Sequence, residues 1–331
     1  MGLLIDGVWR TAAPRTTDGA FVRADTTFRN WVTADGGPGP TGEGGFPAKP
    51  GRYHLIVSLA CPWAHRTLIF RALKQLDGMV GLSVVNPFMG DRGWTFDPAP
   101  GVIAAPVPAA APPAGALHDI YTGADPRYTG RATVPVLWDL ERGVIVNNES
   151  ADIIRMFNSA FDHLGAAPGD YYPVAHRAEI DALNQRIYAT LNNGVYRAGF
   201  ATTQQAYEDA VFPLFDTLEF LDAHLANRRF LVGPASTEAD WRLFTTLVRF
   251  DPVYATHFKC NLRRLVDFRT LWAYTRDLYQ RPGIRQTVDF THIKRHYFTS
   301  HPDINPHGII PAGPLLDFDA PTLRAPGMMI A

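Results

Sequence analysis

The residues with the clearest chemistry lie in the run Leu59-Ala60-Cys61-Pro62-Trp63-Ala64-His65-Arg66. A cysteine is a nucleophile only as its thiolate, so its surroundings decide its use. Tyr53 to Ala60 is rich in aliphatic residues and reads as a strand. Apolar residues then recur at Ala64, Leu68, Ile69, Ala72, Leu73 and Leu76, one face of a helix, with Gly78 as its stop. Cys61 therefore falls at a strand-to-helix turn. Pro62 occupies the first helical position, where its missing N–H costs nothing. The partial positive charge and unpaired N–H groups of a helix N-terminus favour a thiolate and lower a cysteine's pKa.

The position three residues on sets the type of chemistry. A dithiol oxidoreductase carries a second Cys there, and this chain has Ala64. Once Cys61 has attacked sulfur it has no local thiol to close on. It must be released by a thiol from outside the loop, most simply a small one such as glutathione.

Composition frames that chemistry. The chain has 331 residues and a formal net charge of −1, so two domains are expected and no nucleic-acid or anionic-membrane surface is indicated. Two cysteines, Cys61 and Cys260, are too few for a disulfide scaffold and fit a reducing compartment. Cys260 reads as structural, on a helix with Phe258 and Leu262. None of the 11 histidines shows metal-ligand spacing, so no metal is expected. The N-terminus has no basic segment followed by an apolar run, and Asp6 stands where a myristoylation signal needs Ser or Thr. No run reaches transmembrane length. The expected location is the cytoplasm.

The elements that must position Cys61 follow from periodicity. Residues 1–52 have no strong period, and 35–51 are dense in Gly and Pro, which reads as an arm or flexible linker. A first domain covers 53–165. Gly81 to Val85 follows the Cys-bearing helix as a second strand, completing a βαβ unit. Residues 98–116 are nearly all Ala, Pro and Gly and read as a disordered surface insertion. Thr133 to Trp138 is a strand with Pro135 near its start, where an X-Pro bond can be cis. Val144 to Val146 completes a hairpin, and Asn147-Asn148-Glu149-Ser150 opens an amphipathic helix through Ile153, Ile154, Met156 and Phe157.

A second, all-helical domain covers 172–312, followed by a coil tail 313–331. Helices are expected over 178–191, 204–225, 265–280 and 284–296, and Thr237-Glu238-Ala239-Asp240 is a capping-box start for another.

The order β-α-β then β-β-α, with Cys at the first helix start and Pro before the third strand, resembles the thioredoxin fold. In particular it resembles the N-terminal domain of glutathione transferases. The runs Ser58 to Arg66, Thr133 to Asp139, Val146 to Asn158, Gly194 to Phe200 and Phe290 to Tyr297 sharpen the match. Together they are similar to the glutathionyl-hydroquinone reductases, the xi class of that family, over about 50–312. The resemblance implies a thioredoxin-like α/β domain plus an all-α domain, with glutathione as co-substrate, a glutathionylated hydroquinone as substrate and a homodimeric assembly.

Glutathione carries an amine and a carboxylate at its γ-glutamyl end. Ser150, at a helix start, offers a hydroxyl and backbone N–H groups to the carboxylate, and Glu149 can take the amine. A plain N-cap is the other reading of this pair. The Val134 backbone can pair with the cysteinyl part of the peptide. Trp94 and Arg131 are candidates for the glycyl carboxylate and a lid. The resemblance gives Tyr196, Tyr254 and Tyr297 roles in the aromatic pocket and in proton transfer; Tyr196, which follows Asn193-Gly194-Val195 at an expected helix end, is the expected donor. The implied reaction is attack of Cys61 on the glutathione sulfur of an aryl thioether, followed by release of a Cys61–glutathione mixed disulfide by a second glutathione. Two other readings share the fold: an omega-like thiol transferase or dehydroascorbate reductase, and a non-catalytic binding protein.

Overall fold

The computed structural model of the chain describes residues 2–11, 16–104 and 115–322. Residues 105–114 of the Ala/Pro-rich stretch and 323–331 of the expected tail lie outside the described residues. The chain divides into two compact units. One comprises 1–13, 24–169 and 287–308; the other comprises 14–23, 170–286 and 309–331. These limits differ from the contiguous 53–165 and 172–312 expected from sequence.

In the first unit, β1 (Gly2–Ile5) and β2 (Val8–Thr11) form an antiparallel hairpin. In the second, β3 (Thr16–Thr17) and β4 (Ala20–Phe21) form another. The central sheet of the first unit contains β5 (Tyr53–Val57), β6 (Val80–Val84), β7 (Val136–Asp139) and β8 (Val144–Asn147), in the order β6-β5-β7-β8. β6 runs parallel to β5, and β7 and β8 run antiparallel to their neighbours. Tyr53, Leu55, Ile56 and Val57 are fully buried. An aliphatic run without alternation is what a central strand covered on both faces requires.

α1 (Pro62–Leu73) links β5 to β6, and α3 (Ser150–Ser159) packs beside it. Sequence had not anticipated α2 (Leu117–Ala124), which inserts before β7 and makes the order β-α-β-α-β-β-α. Its start is closed by the Asp119 carboxylate, which accepts from Ala116 N at 2.9 Å. Its buried residues Leu117, Ile120 and Tyr121 do carry helical spacing, but over barely two turns. Both strand and helix ends shift by a few residues: β5 stops at Val57, and α1 ends before Gln75, which adopts φ +52°, rather than at Gly78.

The Gly/Pro-dense residues 35–51 are not a loose linker: Tyr53 donates to Pro47 O at 2.8 Å, Gly51 N donates to Met79 O at 2.8 Å, and Phe46 is buried. Just before them, Asn30 N donates to Val146 O at 3.0 Å, beside β8. Arg29 pairs with Asp152 of α3 at 2.5 Å, and Thr33 bridges to Pro47 within the arm. At its end the Arg52 guanidinium meets the fully buried Asp139 carboxylate at 2.6 Å. The Ala/Pro-rich stretch also begins in order, with Ile103 bridging to Val84 of β6.

The second unit contains α4 (Arg177–Ile187), α5 (Gly194–Gly199), α6 (Gln204–His224), α7 (Glu238–Arg249), the short α8 (Ala255–His257) and α9 (Arg269–Tyr279). The capping box appears as expected: Thr237 is the N-cap of α7, and its N–H donates to Asp240 at 2.8 Å. Two π-helical segments, Tyr188–Asn192 and Phe250–Tyr254, interrupt the expected helices. Cys260 lies in coil beyond α8, not on a helix with Leu262, which is exposed. Lys259 beside it takes φ +57°. α10 (Phe290–Ser300) groups with the first unit, not with the helical one.

Candidate active site

Cys61 is the N-cap of α1, with extended backbone (φ −75°, ψ 122°) and Pro62 as the first helical residue. Its carbonyl accepts from His65 N at 2.9 Å, the first bond of the helix. The side chain is half-buried, and Sγ lies 3.6 Å from Val134 O. The Val134–Pro135 bond is cis. The Cys61 thiol and the Val134 carbonyl, just before β7, are therefore adjacent.

The third part of the site is the start of α3. Glu149 is the N-cap, and its carboxylate accepts from Ala151 N at 3.1 Å and from the Ser150 hydroxyl at 3.4 Å. Thr26 of the arm donates to the second carboxylate oxygen at 3.2 Å. Ser150 also accepts from the Arg66 guanidinium at 3.4 Å. Arg66 is on α1, one turn beyond Cys61, and stacks over the Trp63 ring at 4.5 Å. A buried cation beside a helix N-terminus makes this corner favourable for a carboxylate.

Trp94 is buried, with its ring stacked on His296 of α10 at 4.6 Å. His296 Nδ1 lies 3.0 Å from Pro87 O, and Met89 N donates to Ser300 at 2.9 Å, so α10 fastens the 86–95 loop that carries Trp94. Arg131 is half-buried; its carbonyl accepts from Tyr128 at 3.4 Å, in the loop leading to Val134. Tyr297, fully buried on α10, meets His301 edge-on at 5.8 Å. It groups with this unit.

Tyr196 and Tyr254 belong to the second unit and do meet, edge-to-face at 6.2 Å. Tyr254 is the last residue of the second π segment, fully buried and stacked on Phe258 at 5.7 Å. Tyr196 is not at a helix end but inside the first turn of α5, just after the other π segment, and is half-buried. Such segments favour functional positions because they displace one residue from the regular helical face. The Arg23 guanidinium lies 5.0 Å over the Tyr196 ring and donates to Asn193 at 2.8 Å.

Sequence reasoning missed Thr26, Arg66, Tyr121 and Asn148. Arg66 and Asn148 stood inside runs already singled out. Tyr121 and Thr26 carried no local signal, because their role arises from contacts with residues more than ten positions away. Among the described residues no group of three or more His, Cys, Asp or Glu side chains is arranged to hold a metal ion, and no helix is long and apolar enough to cross a membrane.

Comparison with known proteins places the chain in a family. The glutathione S-transferase N-terminal domain model matches residues 60–160, and the C-terminal domain model matches 204–277. The chain is 56% identical over 324 residues to the glutathionyl-hydroquinone reductase YqjG of Escherichia coli K-12, covering 97% of this chain and 98% of that protein. It is 52% identical to the glutathionyl-hydroquinone reductase PcpF of Sphingobium chlorophenolicum, covering 98% and 100%. The glutathione-bound structure of YqjG superposes with a TM-score of 0.90, over 98% of this chain and 99% of that one. The glutathione S-transferase Xi of Phanerochaete chrysosporium gives 0.84 at 51% identity, over 90% and 94%.

Proposed function

The chain belongs to the glutathionyl-hydroquinone reductases, the xi class of the glutathione transferases, and we propose the following course for its reaction. The observation that carries it is Cys61 as N-cap of α1, Sγ 3.6 Å from Val134 O, with Ala64 where a resolving cysteine would stand.

Glutathionyl-hydroquinone binds with its γ-glutamyl end at Glu149 and Ser150 and its cysteinyl backbone along Val134. Trp94 and Arg131 border the glycyl end. The Cys61 thiolate attacks the glutathione sulfur, forming an S–S bond as the sulfur–aryl carbon bond breaks. The electron pair of that bond goes to the ring carbon, which takes a proton; the aryl carbon is reduced and sulfur is oxidised. A second glutathione thiolate attacks the mixed disulfide, giving oxidised glutathione and regenerating Cys61. Tyr196 is the proposed proton donor, and Tyr254 and Tyr297 the groups that hold the ring hydroxyls. The proposed assembly is a homodimer, which sedimentation tests directly.

Turnover of a glutathionyl-hydroquinone with excess glutathione tests the reading, followed as free hydroquinone and oxidised glutathione in equal amounts. Tyr196→Phe should lower kcat on this substrate by about 10²- to 10⁴-fold, the usual range for general acid catalysis. It should leave reduction of a small glutathione mixed disulfide nearly intact, because a thiolate leaving group needs no proton at carbon. Equal loss on both substrates removes Tyr196 from the donor role. An omega-like thiol transferase would reduce the disulfide and leave the aryl thioether untouched.

A further inference from the structure

Two stretches that the proposed glutathione platform uses, Thr133-Val134 before β7 and Asn148-Glu149-Ser150 before α3, share one atom: the phenol oxygen of Tyr121. It donates to Thr133 O at 2.8 Å and accepts from Thr133 N at 3.2 Å. It also accepts from Asn148 Nδ2 at 3.1 Å. One donated and two accepted bonds fill the capacity of a phenol. Tyr121 is fully buried on α2, with its ring against Phe28 and Tyr128. Asn148 spends its remaining groups on the arm: its N–H donates to Phe28 O at 3.1 Å, and its Oδ1 accepts from Phe28 N at 3.2 Å.

We propose that Tyr121 is a positioning residue for glutathione, its phenol oxygen fixing the spacing between the Val134 backbone and the Glu149-Ser150 helix start. The proposal rests on the glutathione site described above. A peptide held at both places needs that spacing constant; the β7–β8 ladder pairs Leu137 with Asn147, and the phenol extends the tie to Thr133 and Asn148, which lie outside that ladder. Burial pushes the Tyr121 phenol up to about 12, so it keeps its proton, and its donated bond, across the neutral range. Tyr121→Phe removes only the oxygen and preserves the ring packing.

The test reads glutathione affinity by titration calorimetry in the Cys61→Ser background, where no turnover intervenes. Affinity should fall roughly fivefold, the equivalent of about 1 kcal/mol of net hydrogen bonding. In the parent enzyme, KM for glutathione should rise about equally, and kcat at saturation should change by less than about twofold. Unchanged affinity, with only a lower melting temperature, would make Tyr121 a packing residue and overturn the proposal. Should Tyr121→Phe yield no folded protein, Asn148→Ala decides. It cuts the link from the other end and should weaken glutathione several-fold; unchanged affinity again overturns the proposal. A parent protein that binds glutathione but leaves the aryl thioether intact would sink the proposed reaction while still allowing the Tyr121 test. A parent that does not bind glutathione would sink both.

Discussion

Two thiols share this chain in opposite surroundings. Cys260 is fully buried, its Sγ 3.7 Å from Phe258 O, and burial pushes its pKa far above that of an ordinary thiol. Cys61 is half-buried at a helix N-terminus beside a carbonyl edge. Iodoacetamide at neutral pH should therefore add one group per folded chain, on Cys61, and none to Cys61→Ala until the protein is unfolded. Peptide mapping reads this, and labelling of Cys260 in folded protein would contradict it. Cys61, Val134, Glu149 and Ser150 were legible in sequence because each owes its place to a local backbone device: a strand-to-helix turn, an X-Pro strand entry, a helix cap. Tyr121 and Thr26 were not, since neighbours remote in sequence give them their partners. The three tyrosines were only partly legible. Tyr196 and Tyr254 meet, whereas Tyr297 belongs to a different compact unit.

At the scale of elements, the start of α7 shows how much a short motif can carry. The buried Asp240 carboxylate accepts from Thr237 N at 2.8 Å, Leu231 N at 2.9 Å and the Tyr274 hydroxyl at 2.7 Å. The Thr237 hydroxyl donates to it as well, at 3.2 Å, so removing it leaves four buried donors, each costing about 1–3 kcal/mol when unpaired. Asp240→Ala should thus cost at least about 3 kcal/mol in chemical denaturation, against about 1 for Thr237→Ala, whose loss is that of an ordinary cap. Equal effects would mean the Asp240 contacts contribute nothing beyond capping. The box itself was readable at i and i+3, whereas the Tyr274 and Leu231 contacts required the fold. Long periodic elements such as α6 were legible for the same reason that α2 and the π segments were not. Twenty residues of apolar spacing outweigh local irregularity, and two turns do not.

At the scale of the molecule, two buried histidines, one in each compact unit, couple stability to pH. Burial, with Arg71 adding repulsion, lowers His54 to about 4, and its Nε2 sits 2.6 Å from the Ser83 hydroxyl. Burial, with Lys259 adding to it, lowers His257 to about 4 as well. Both pKa values lie below the ordinary 6.5, so below 6.5 the unfolded chain binds more protons than the folded one. Stability should be full above about 6.5 and fall between about 6.5 and 4. Denaturant titrations across that window read the loss. A His54→Gln variant should show a shallower decline, and a parallel one would contradict the assignment. The arm is where whole-molecule reasoning from sequence failed. Gly and Pro density reports the absence of helix and strand, not the absence of order, and backbone contacts of Gly45, Pro47 and Gly51 with Arg52, Tyr53 and Met79 supply that order.

The central claim is that the reaction passes through a bond between Cys61 and glutathione. It is tested most directly by intact-mass measurement of the reduced protein after one equivalent of glutathionyl-hydroquinone, with no free glutathione present. The predicted result is a single added glutathione on Cys61, one equivalent of free hydroquinone, reversal by a reducing thiol, and neither adduct nor product with Cys61→Ala. Release of hydroquinone from protein whose mass stays unmodified would contradict the account.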